Sequence, residues 1–182
     1  MKILKSGAIL LSAALTSSAA LVYFDISPAG SDVSVGLSPS NTVPKAILSQ
    51  GSGGEISGGI VFDTDTSALQ LAVGYGSAAG FSDLTGPAIK IHIQGPAMSG
   101  EIAPAIVDLQ PFSFPAAVAK EGGVIFGTFL WPTNYTVTLL GGKTYLNILT
   151  DEYQDGEIRG QLIPTTPPNA APVVSCPDAA TV

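Results

Sequence analysis

From Ala88 to Gln94 the chain alternates without a break, Ile89, Ile91 and Ile93 against Lys90, His92 and Gln94. Only an extended strand sends consecutive side chains to opposite faces, so this stretch reads as a strand with one apolar and one polar side. The same period governs 68–75, where Leu69, Leu71, Val73 and Tyr75 share a face. With 21 Gly and 14 Pro in 182 residues, long helices are excluded and turns must be frequent. The fold expected is all-β: an antiparallel Greek-key β-sandwich or flattened barrel of about seven to nine strands.

Gly, Pro, Asn and Asp clusters divide the rest of the chain. Short strands are expected at 21–26 and 32–37, joined across Ser27-Pro28-Ala29-Gly30. The polar stretch 38–54, with Pro39 and Pro44, reads as a long surface loop or edge segment. A hairpin follows, 59–63 and 68–75 around Thr64-Asp65-Thr66. Pro104 places 102–109 at an edge or bulge, and 122–131, apolar on both faces, reads as a central strand. A second hairpin joins 143–150 to 156–163, and helical turns fit at 115–121 and 132–140. The layout expected is a signal peptide at 1–20, one β domain at 21–164 and a disordered Pro- and Ala-rich tail at 165–182.

The leader rests on Lys2 and Lys5 before an apolar run, then Ser18-Ala19-Ala20, small residues suited to cleavage after Ala20. It implies a secreted or cell-surface protein, periplasmic in a bacterium, with no transmembrane span in the mature chain. The net charge is −7, from seven basic and 14 acidic residues. Lys45, Lys90, Lys120, Lys143 and Arg159 are scattered singly, so no basic stripe exists for nucleic acid. Cys176 is the single cysteine, which rules out an intrachain disulfide and leaves the core to hold the fold.

Several stretches, in order, resemble the CHRD family, named for repeats in chordin. They are Asn41-Thr42-Val43-Pro44, Gly53-Gly54-Glu55 through Asp63, Phe81-Ser82-Asp83-Leu84-Thr85, Ile91-His92-Ile93-Gln94-Gly95-Pro96-Ala97, Leu140 through Asn147, and Gly156-Glu157-Ile158-Arg159-Gly160-Gln161-Leu162. Together they cover about residues 37–163. The resemblance implies an extracellular β domain acting through protein contacts. It also shows a departure: where the family pattern commonly carries histidines, this chain has Lys90 and Leu149, leaving His92 alone.

One histidine excludes a His-rich zinc or copper site. A G-x-S-x-G elbow and a phosphate-cradling Walker loop are both absent from the sequence. No catalytic residue, cofactor site or metal site is therefore assigned, and the chain is not read as an enzyme. Lys90, His92, Glu157, Arg159 and Gln161 are expected to form a structural polar cluster, with Glu157 pairing Arg159 or His92. Asp151, Glu152 and Asp155 offer calcium its hard oxygens, as do Asp63 and Asp65, but Asp155-Gly156 is accounted for as turn chemistry. Trp131 and Phe129 read as core, and Asn134-Tyr135-Thr136 is a formal glycosylation sequon. The function expected is a non-enzymatic binding or structural module with a protein or cell-surface partner. The alternatives are a self-assembling surface subunit and, less well supported, a metal-binding redox protein resembling copper-zinc superoxide dismutase.

Overall fold

The computed structural model describes residues 20–27 and 36–165. The expected leader up to residue 19, the turn at 28–30, most of the strand expected at 32–37 and the tail beyond Thr165 lie outside them. Nine strands run in chain order: β1 (Leu21–Ser27), β2 (Gly53–Asp63), β3 (Ala68–Tyr75), β4 (Ala88–Gln94), β5 (Ala105–Asp108), β6 (Ser113–Pro115), β7 (Gly123–Leu130), β8 (Thr144–Thr150) and β9 (Ile158–Thr165). One short helix, α1 (Thr136–Leu140), sits between β7 and β8, and single 3₁₀ turns mark other connections. The two helical turns expected from sequence are among them, at Ala119–Glu121 and across Thr133–Tyr135 into α1.

All nine strands join in one antiparallel sheet in the order β5-β4-β8-β9-β1-β2-β3-β7-β6. A flat sheet of that many strands would be about 38 Å across, at about 4.8 Å per neighbour. Yet its two edge strands follow each other in sequence. From Asp108 at the end of β5 to Ser113 at the start of β6 the chain can reach at most about 19 Å. The sheet must therefore curl until its edges approach, which makes it a flattened, half-closed barrel.

Curling turns one face of every long strand inward. Phe24 and Ile26 from β1, Ile60 and Phe62 from β2, Leu69, Leu71 and Val73 from β3, Ile91 and Ile93 from β4, Leu146 and Ile148 from β8, and Ile158 and Leu162 from β9 meet in one cluster. The two-residue period placed Leu69, Leu71, Val73, Tyr75, Ile91 and Ile93 correctly, with Ile89 only half-buried, and Trp131 is buried with them, in keeping with a packing role.

Two expectations need correction. The stretch 122–131 is not a central strand: β7 lies next to the edge, and Phe126, Thr128 and Leu130 face outward and are exposed. Burial on both faces belongs instead to β8, where every residue is buried, and to most of β9. The stretch 38–54 is not simply a surface loop, because Ser38, Asn41, Thr42 and Ser49 are buried and β2 already begins at Gly53. Where β1 runs out, Leu37 bridges to Gly53 and Ser38 bridges to Arg159, so these two residues resume the line of β1 between β2 and β9.

At the bulge in β2, between Glu55 and Ile60, the Glu55 carboxylate accepts the Ile26 amide. Burial raises its pKa above the ordinary carboxyl value, the Ile26 and Glu55 amides pull it down, and nearby Asp25 adds to the rise. A raised folded pKa means the folded state binds the proton more tightly than the unfolded chain. This contribution is present at acid pH and is lost as pH rises through the folded value. Glu55→Gln keeps an oxygen for the Ile26 amide and removes the titration. Relative to wild type, the variant should therefore gain stability between pH 5 and pH 7, read from melting temperatures at both. A relative loss over the same interval would mean the carboxylate is stabilising when ionised.

Candidate functional site

The side of β4, β8 and β9 that faces away from the apolar core carries Gln94, Tyr145, Asn147, Glu157, Arg159 and Gln161. Register sets them side by side: His92 stands opposite Asn147 and Asn147 opposite Arg159, while Gln94 stands opposite Tyr145 and Tyr145 opposite Gln161. A polar face on a strand ordinarily means solvent. Here Glu157 is 0 % exposed and Arg159 and Gln161 are each 3 % exposed.

Two segments of the chain lie over this face as straps, the first at 38–52 and the second at 95–104. Glu157 holds the first. Its Oε1 accepts the Ser49 hydroxyl and the Thr85 amide, each at 2.7 Å, and its Oε2 accepts the hydroxyls of Thr85 at 2.7 Å and Thr150 at 2.6 Å. Four donors surround a group that, ionised, only accepts, so its acceptor capacity is well filled without a cationic partner. The Ser49 oxygen in turn accepts the Gly51 amide, and Ser38 exchanges backbone hydrogen bonds with Arg159.

Arg159 and Gln161 hold the second strap. The Arg159 guanidinium donates to the carbonyls of Glu101 at 2.7 Å and Met98 at 3.2 Å, and lies 3.4 Å over the centre of the Tyr145 ring. Burial pulls its pKa below the ordinary guanidinium value, with Tyr145 and Glu101 opposing, which leaves a group this basic charged at neutral pH. Gln161 donates to the Ala97 and Gly142 carbonyls. Tyr145 accepts the Ala103 amide and donates to its carbonyl, Gln94 donates to the same carbonyl, and Asn147 links Gln94 to the backbone at Asp155. Gly156 completes the layer. At φ +134° it holds a backbone conformation that disfavours other residues, and the Asn147 amide oxygen occupies the space a Cβ would need.

The five residues expected to cluster therefore divide. Glu157, Arg159 and Gln161 are buried in this layer, but no hydrogen bond joins any two of the five: Glu157 is met by hydroxyls and an amide, not by Arg159 or His92. Lys90 is exposed and His92 half-buried. Ser49, Thr85 and Thr150, which do hold Glu157, were missed. Hydroxyls carry no charge pattern, and Ser49 is 108 residues from its partner. The one available signal was that Thr85 closes one of the family-like stretches.

Lys90 pairs with Leu149 across β4 and β8, with His92 two residues along β4, so the three positions where the family pattern carries histidine form one locus. In this chain that locus presents one imidazole beside a lysine and a leucine, a poor donor set for a transition metal. Among the described residues no three His, Cys, Asp or Glu side chains gather closely enough to hold a metal ion, and Asp151, Glu152 and Asp155 are exposed turn residues. Asp63 is occupied locally: its carboxylate accepts the Asp65 and Thr66 amides in the hairpin turn, which lowers its pKa.

The buried layer thus gathers residues from several of the family-like stretches, among them Thr85, Gln94, Ala97, Tyr145, Asn147 and Glu157, around one set of contacts. The sequence profile of the CHRD domain matches residues 33–162, well over half of the chain. The chain belongs to the CHRD family. No curated protein and no solved structure matches it. Within this CHRD domain, Thr42 of the Asn-Thr-Val-Pro stretch tightens the first strap from inside, donating to the Pro39 carbonyl and accepting the Ala46 amide. Among the described residues no helix is long and apolar enough to cross a membrane.

Proposed function

We propose that this CHRD-domain protein is an exported, non-enzymatic binding module whose contact surface is the outside of the two straps. One observation carries the reading: the polar groups that characterise the domain are turned inward and occupied, while the same straps turn apolar side chains outward. Ile47 and Leu48 are each 81 % exposed and Ile102 is 73 % exposed. Exposed apolar residues of this size, on loops fastened from beneath, suit a preorganised contact with a protein or cell-surface partner. The first strap also encloses an open recess of about 450 Å³, lined by Leu37, Ser38, Lys45, Ile47 and Ser49 among others, large enough for a partner's side chains.

The test has two parts. Expressed with its own N-terminus, the protein is expected outside the cytoplasm, beginning near Leu21. The Ile47→Lys, Leu48→Lys double variant should then lose most of its retention on the surface of the producing cells. Its melting temperature should hardly change, because exposed substitutions rarely shift stability by more than about 0.5 kcal/mol. Recovery in the cytoplasm with the leader attached contradicts export, and undiminished retention contradicts the strap surface.

A further inference from the structure

The two edges of the half-closed barrel do not meet evenly. β5 lies along β4 only opposite His92, Ile93 and Gln94. At Leu109 the chain turns away through Gln110-Pro111-Phe112 and crosses to β6, so the Ala88 end of β4 has no strand beside it on that edge. There the Gln110 side chain, in place of a strand, donates to the Ile89 carbonyl. Across the gap β6 ends at Pro115, which has no N–H to extend a ladder. Between the two lies a cavity of about 480 Å³. That is a small-molecule volume, at the mouth of a barrel, where ligand sites are common.

Its polar groups are two hydroxyls. Tyr75 comes from β3, buried in the apolar core at 1 % exposed, and its hydroxyl reaches that of Ser113 on β6, two strands away in the sheet, at 3.3 Å. Hydroxyls usually approach to about 2.7 Å, so this contact is long. Among the described residues it is the one side-chain hydrogen bond that either makes. Two hydroxyls carry two protons and their contact uses one, which leaves the other for a guest. Burial raises the Tyr75 pKa above the ordinary phenol value, with Ser113 opposing, so the hydroxyl keeps its proton at neutral pH. The walls are small and stiff: Pro87 and Ala88 from the β4 side, Pro115 and Ala119 from the β6 side. No charged residue lines the cavity. A charged guest would lose its water there and gain no partner, whereas a neutral one gives up little. We infer that this cavity is a binding site for a small neutral molecule with an apolar body and one hydroxyl or carbonyl oxygen, held by the Tyr75 and Ser113 hydroxyls. The site is separate from the strap surface and does not depend on it.

Titration of the isotopically labelled full chain with cyclohexylmethanol, followed by amide resonances, tests it. Saturable shifts should gather at Ala88, Ser113 and Ala119 and spare Ile47 and Ile102 on the straps. Cyclohexanecarboxylate and protonated cyclohexylmethylamine, of nearly the same shape, should bind at least about tenfold more weakly, because each would bury an unpaired charge. Tyr75→Phe and Ser113→Ala should each weaken the alcohol by about two- to tenfold, the worth of one hydrogen bond, with the melting temperature little changed. Ala119→Phe, at an exposed position, should fill the cavity and abolish the shifts while the protein stays folded. Scattered or unsaturable shifts would overturn the inference, as would shifts that persist in Ala119→Phe. Equal binding of the charged analogues would overturn the neutral class, and undiminished binding by Tyr75→Phe and Ser113→Ala would overturn the role of the hydroxyls.

Discussion

Glu157→Ala is expected to lower stability by about 3–5 kcal/mol, a large share of what a domain of this size possesses. The carboxylate accepts four hydrogen bonds, and truncation leaves the Thr85 amide and three hydroxyls facing a cavity. In a domain of roughly this length the loss corresponds to a fall in melting temperature of about 10–15 °C. Glu157→Gln separates the two roles of the side chain. Its oxygen still accepts Ser49 and the Thr85 amide, and the Thr85 and Thr150 hydroxyls can rotate to accept from the new amide, so its loss should be less than half as large. Equal losses for the two variants would show that charge, and not the count of acceptors, is what the site requires. A negligible loss for alanine would show that the first strap is not held there.

Gly160→Ala should cost about 3 kcal/mol, although alanine is ordinarily the gentlest replacement for glycine. A Cβ at this position would stand 2.1 Å from Cγ2 of Ile26 and 2.9 Å from the Gly36 carbonyl oxygen. Neither neighbour yields easily, because Ile26 is β-branched and fully buried and Gly36 is backbone held by the Ile26 carbonyl. The location of the clash can be checked by a double-mutant cycle with Ile26→Ala: removing Cγ2 should make the combined loss smaller than the sum of the single losses. Additive losses would place the strain elsewhere. Melting curves of the four proteins decide the matter.

The strands were legible because alternation is a local signal. Ile91 and Ile93, or Leu69, Leu71 and Val73, announce their face within seven residues, and the half-closed barrel buries that face whatever the order of strands. Strand order was not legible, and β7 shows why. Phe126 and Leu130 make its outward face apolar, which reads as a central strand, but their exposure follows from which segments lie over that side of the sheet. The converse holds for β9. Glu157, Arg159 and Gln161 form a polar face, expected to cluster with Lys90 and His92, and it is the strap cover that leaves these three buried while Lys90 stays exposed. Their partners on the straps lie 108, 58 and 64 residues away, and no periodicity encodes such pairings. The family pattern held part of this information, since its stretches supply both ends of the contacts of Glu157 with Thr85 and of Gln161 with Ala97 and Gly142, but not Ser49, Met98 or Glu101.

The central claim is that the buried polar face of β8 and β9 fastens the straps. Native-state hydrogen exchange tests it most directly, at the amides of Ser38, Ala46, Gly51, Thr85 and Ala103, each bound to a group of this layer or of the first strap. These five should exchange in wild type nearly as slowly as the amides of β8, and in Glu157→Ala the Thr85 and Gly51 amides should exchange fast while β3 stays protected. Rapid exchange of the strap amides in the wild-type protein would contradict the account.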